Sequence, residues 1–139
     1  MRLWHEALIP YLPRQQLLGQ HRECCALRGL GWGRKHATVN YVFEHHPAHL
    51  VAYHILVMEE MDSRGYKTDV NWWDYGYRGK KCAHLNKDHF KEIRQETVKA
   101  LFENKINHIP IYPEHDAAYL QECLDNLAAK GIHINMAGN

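Results

Sequence analysis

The sequence predicts an all-α domain. Apolar residues recur at helical spacing in four stretches, three of them bounded by proline or glycine, and no stretch alternates apolar and polar residues over a useful length. The first predicted helix covers 14–28, with Pro13 at its opening turn; Leu17, His21, Cys24 and Arg28 form one stripe, and Gly19, Glu23 and Ala26 or Leu27 another. "GLGWG" ends it. A second runs from Pro47 to about Arg64, turns Leu50, Val51, Ile55, Met58 and Met61 inward, and stops at Gly65. Residues 66–85, "YKTDVNWWDYGYRGKKCAHL", follow neither period and read as a long aromatic and basic loop. A third helix is expected at about 87–103, with Phe90, Ile93, Val98, Leu101 and Phe102 as its apolar side. The fourth begins near Pro113 and stops before Gly131, burying Tyr119, Leu120, Cys123, Leu124 and Leu127. "HIPIY" and "GIHIN" are short extended candidates.

With 139 residues and no linker or internal repeat, the chain reads as one compact domain over 1–139, a bundle of about four helices. No apolar run approaches the roughly 20 residues of a membrane span, and the N-terminus lacks an export pattern, so the cytoplasm is the expected compartment. Cys24 and Cys25 are adjacent while Cys82 and Cys123 stand alone; four reduced thiols are expected.

A net charge of +1 conceals an uneven distribution. Residues 14–38 and 64–94 each carry a cationic surplus of four, whereas 113–139 carry an acidic surplus of three. One positive face would attract phosphates; a set of solvated helix faces is the plain alternative. Twelve histidines invite a metal, and His45, His49 and His54 lie near helical spacing, yet there is no HExxH, no CxxC and no zinc-finger set. Neither a metal nor another cofactor is expected. "RGLGWGRKH" follows a helix instead of joining a strand to one, which excludes a P-loop; its Arg34, Lys35 and His36 suit a nucleic-acid backbone. Glu23 shares a stripe with Gly19, which leaves room for something to approach it; a surface Glu paired with Arg22 or with a neighbouring helix is the simpler account of the spacing.

Basic Arg2 followed by Leu3, then "LPRQQLLGQHRE" with its "QxLxxxxRE" pattern, then "RKH" at 34–36 and a helix ending "EEMDSRGY" at 59–66 together resemble the pyrimidine dimer DNA glycosylases over roughly the first half of the chain. The family's further Arg three positions after the Glu is Ala26 here, and its helix His is Gln16; Arg28 compensates only if it faces DNA.

The resemblance implies a DNA-repair glycosylase that also cleaves abasic sites by β-elimination, acting on ultraviolet pyrimidine dimers or a related lesion, as a monomer on double-stranded DNA containing damaged or abasic sites. Its nucleophile would be the backbone α-amine, here that of Met1. An α-amine has a pKa of about 7.7–8.0 against about 10.4 for lysine, so roughly a tenth is neutral at pH 7. Glu23 would be the catalytic carboxylate. Arg2 and Arg22 would hold phosphates beside the lesion, and Arg34, Lys35 and His36 would clamp the backbone farther out. In the loop "NWWDYGYRGKK", Trp72 and Trp73 offer stacking planes and Arg78, Lys80 and Lys81 offer phosphate partners; Trp4 and Trp32 are expected to pack. The alternative is a non-catalytic nucleic-acid-binding module that keeps the fold and basic face, and the Arg22–Glu23 pair favours catalysis, since an anion beside phosphates gains a pure binder nothing.

Overall fold

The computed structural model describes residues 2–82, 95–106 and 109–136. Among them are four α-helices, α1 (Arg14–Arg28), α2 (Pro47–Ser63), α3 (Gln95–Ile106) and α4 (Ala117–Ala129), with short 3₁₀ helices at Glu6–Tyr11, Asn40–Glu44 and Val70–Trp73. No strand occurs among the described residues, so "HIPIY" and "GIHIN" are not strands where they are described. No helix among these residues is long and apolar enough to cross a membrane.

The architecture is built around α2. Leu50, Val51, Ile55, Met58 and Met61 are buried as expected, but so are Ala48, Ala52, Tyr53, His54 and Val57. A helix apolar on nearly every side must be enclosed, and α2 packs against α1, α3 and the first two 3₁₀ helices. His46 caps its start by accepting from the Ala48 amide. Gly65, at φ +82°, takes the left-handed conformation that ends it, and the Tyr66 amide returns to the Met61 carbonyl.

α1 matches the expected 14–28, with Leu17, Cys24 and Arg28 inward. Its end is sealed by the loop: a Cβ on Gly29 would stand 2.7 Å from the Arg78 carbonyl oxygen, so only glycine permits that approach. The start of the expected third helix, with Phe90 and Ile93, lies outside the described residues; Val98 is buried, with Leu101 and Phe102 packed beside it. α4 begins later than Pro113 because Asp116 caps it, its Oδ1 accepting from the Tyr119 amide at 2.8 Å. Cys123 and Leu127 are its fully buried residues, and Tyr119, Leu120 and Leu124 pack half-buried. All four cysteines are free.

Candidate active site and nucleic-acid interface

Residues 2–5, outside any helix, lie against α1, and side chains of three helices hold them there. The Arg2 amide donates to Glu23 Oε2 at 3.2 Å. Gln20 pairs with the same segment at two points, its Oε1 accepting from the Trp4 amide at 2.7 Å and its Nε2 donating to the Arg2 carbonyl at 3.0 Å. Tyr53 of α2 sets its hydroxyl between that Oε1 and the Trp4 carbonyl. From α4, the Tyr119 hydroxyl donates to the Leu3 carbonyl.

Beside this junction a cleft of about 350 Å³ opens, lined by Arg2, Trp4, Gln16, Gly19, Gln20, Glu23, Thr38, Asn126 and Lys130. Glu23 is half-buried on its wall. Gly19 leaves the wall open: the nearest atom to a Cβ built there is Arg22 Nη2, 3.7 Å away. The Arg2 guanidinium lies 5.8 Å from the Trp4 ring centre and 5.9 Å from that of Tyr119, and the Lys130 ammonium lies 5.4 Å from the Trp4 ring, so cation–π contact holds two cations at the cleft.

One turn further along α1 lies a second depression, a groove of about 770 Å³. Ala26, Leu27 and Leu30 give it an apolar wall; Arg34, Lys35, His36, Lys80 and Lys81 surround it. The two basic segments, some 45 residues apart in the chain, thus meet around one groove, and Thr38 carries the 34–38 turn over to the Glu23 cleft. Arg34, Lys35, His36, Lys80, Lys81 and Arg22 are exposed.

Three expected site residues have different surroundings. Arg78 is buried at 4% exposure and donates through Nε to the Arg28 carbonyl and through Nη2 to that of Gly29. It ties the loop to the end of α1 and lines the groove from below, its guanidinium engaged by these carbonyls. Trp73 is half-buried, its indole N–H on the Thr68 hydroxyl. Trp72 contributes to the groove, but its ring also packs on Tyr77 and His54 and lies 5.1 Å from the Arg28 guanidinium. Met1 lies outside the described residues. Arg28, the possible substitute for the family's missing Arg, is fully buried; it donates to the carbonyls of Trp72 and Asp74 and does not face a groove. Trp32 packs edge-on against Phe43 as expected, whereas Trp4 both packs and lines the cleft.

Arg28 also orders a partly buried cluster. Arginine only donates, so its Nη1, 2.9 Å from His54 Nδ1, makes that nitrogen the acceptor and puts the His54 proton on Nε2. Nε2 then donates to His21 Nδ1 at 2.8 Å, and His21 Nε2 faces Cys25 Sγ at 3.7 Å. His21, Cys25 and His54 are close enough together to suggest a metal site, but this order turns protons into the cluster where ligand lone pairs are needed. Burial lowers the pKa of both histidines, His54 most, and pushes the Cys25 thiol up to about 12. The cluster is a neutral hydrogen-bonded plug between α1, α2 and the loop.

The sequence model of the family described as pyrimidine dimer DNA glycosylase matches residues 1–74. The chain belongs to that family. The match spans the start of the chain, α1, the 34–38 turn and α2, which together carry Glu23 and most of its surroundings. Neither a curated relative nor a solved structure matches the chain. In this glycosylase-family chain α4 lies beyond the matched region, yet Asn126 and Lys130 close the cleft and Tyr119 holds Leu3. Sequence reasoning missed these three and Gln20. Gln16, Gly19, Gln20 and Glu23 share one face at i, i+3, i+4 and i+7, a signal that could have named Gln20; nothing in the sequence links α4 to residue 3.

Proposed function

We propose that the chain excises ultraviolet pyrimidine dimers, or a related base lesion, from double-stranded DNA and then cleaves the abasic strand, acting as a monomer, with the α-amine of Met1 as nucleophile and Glu23 as its carboxylate. One observation carries this reading: the amide of Arg2 is hydrogen-bonded to Glu23 at the wall of an open cleft. In a chain that starts at Met1 the α-amine belongs to the next residue back, and consecutive Cα atoms are only about 3.8 Å apart. An α-amine on Met1 is thus one residue from the amide that Glu23 holds.

The chemistry follows from those two groups. The neutral amine forms a bond to C1′ of the deoxyribose as the bond from C1′ to the base breaks; the departing electron pair goes to the base, which takes a proton. Opening of the sugar ring leaves a protonated imine. Positive charge accumulates at C1′ and then on the imine nitrogen, and a carboxylate within a few ångströms stabilises it. Loss of a C2′ proton, with Glu23 assisting, expels the 3′ phosphate and breaks the strand. Arg2 and Arg22 serve the phosphates beside the lesion. Arg34, Lys35, His36, Lys80 and Lys81 hold the backbone along the second groove, a role that their exposure and shared rim support.

Borohydride trapping on an abasic-site duplex tests the proposal. A covalent adduct is expected, and it disappears when the N-terminus is acetylated or extended. DNA binding without any adduct would overturn the enzymatic reading in favour of a non-catalytic binder.

A further inference from the structure

We infer that Gln20 is the positioning residue of this site: its carboxamide docks the first residues of the chain onto α1 so that the α-amine meets Glu23. The inference rests on the reading above and extends it to a residue that acts through Glu23 and the first residues of the chain.

Gln20 has 1% exposure, and both ends of its amide are engaged. Oε1 takes the Trp4 amide at 2.7 Å and Nε2 gives to the Arg2 carbonyl at 3.0 Å. An acceptor for the N–H of one residue and a donor for the C=O two residues earlier is what a neighbouring strand offers an extended segment, so one side chain stands in for a missing ladder partner. The pairing also fixes which way the amide points, because the opposite orientation would set N–H against N–H and oxygen against oxygen. Nε2 then lies 3.4 Å from Glu23 Oε2, the same oxygen that accepts from Arg2. Gln20 thus couples the orientation of the carboxylate to the register of the segment that bears the amine. The Tyr53 hydroxyl, 3.0 Å from Oε1, supports it from α2. A short segment outside any helix has no hydrogen bonds of its own, and reaction at its end needs near-attack geometry, where an error of about 1 Å costs on the order of 100-fold in rate.

The experiment compares wild type, Gln20→Glu and Gln20→Met for borohydride trapping of an abasic-site duplex from pH 5 to 8, alongside duplex affinity and thermal melting. Gln20→Glu keeps the acceptor for Trp4 but sets an oxygen against the Arg2 carbonyl and Glu23; only its protonated form donates. The trapping rate is expected to fall on the order of 100-fold at pH 7 with affinity unchanged within about twofold. The ratio of the Gln20→Glu rate to the wild-type rate should rise as pH falls, whereas for Gln20→Met it should stay low and flat. A merely structural glutamine gives no such pH-dependent ratio. Wild-type-like trapping in both variants, equal loss of affinity and rate, or failure of both to fold would overturn the inference. Absence of trapping by wild type itself would instead overturn the catalytic reading on which it rests.

Discussion

The amide of Arg2 donates to Glu23 Oε2 across 3.2 Å, joining the second residue of the chain to the middle of α1. A glutamine at position 23 retains an oxygen able to accept that bond, so the fold survives Glu23→Gln while the negative charge is lost. We expect strand cleavage and imine trapping to fall about 10²–10³-fold, as when one transition-state electrostatic partner is removed elsewhere, with DNA affinity retained or raised. A nicking gel and a binding titration on the same abasic duplex check this; equal loss of both would make Glu23 structural.

Gly19 separates the demands of helix and cleft. It sits inside α1 with no close neighbour to a Cβ, so Gly19→Ala should stabilise the protein by about 1 kcal/mol through helix propensity. Gly19→Leu should melt no lower than wild type yet lower kcat/KM at least about tenfold, because its side chain enters the space beside Glu23. An unchanged kcat/KM would remove that space as the route of approach.

Basic residues of the loop should divide by burial. Lys80→Ala and Lys81→Ala, both exposed, are expected to weaken binding to any duplex and to reduce the salt slope of log K by about 1 each, with little change in melting. Arg78→Ala should leave the Arg28 and Gly29 carbonyls without their guanidinium partner, at a cost of about 1–3 kcal/mol each, and lower the melting temperature. A salt slope that moves with Arg78 while melting does not would contradict its assignment as a fold anchor.

Stability should fall as the solution is acidified. Burial lowers the pKa of His54 well below the usual 6.5 and that of His115 to about 3. Below about pH 6.5 the unfolded chain takes up protons that the folded one refuses, so ΔG of unfolding decreases with falling pH by about 1.4 kcal/mol per pH unit for each such histidine, and for His115 the loss continues down to about pH 3. Urea unfolding at pH 7.5 and 5.5 measures it. Replacing His54 with Gln should flatten the slope, and an unaltered slope would show that His54 is not the source.

The helices were legible because their signals are local. Pro13 and Gly29 bracket α1, Pro47 and Gly65 bracket α2, and apolar spacing repeats within each; the motif from Gln15 to Glu23 lies within a single helix, so its order in the chain is its order in space. Exposure of Arg34, Lys35, Lys80 and Lys81 follows from charge in the same way, since an unpaired cation is expensive to bury. What tertiary structure alone decided is which side chains meet across the chain: that Lys130 and Asn126 close a cleft begun by Arg2, and that Arg28 and Arg78 turn inward because backbone carbonyls of the loop and of the α1 end accept their protons. Composition makes every arginine a candidate phosphate ligand. Burial among carbonyl acceptors, fixed only when α1, α2 and the loop come together, separates those that hold the fold from those still open to DNA.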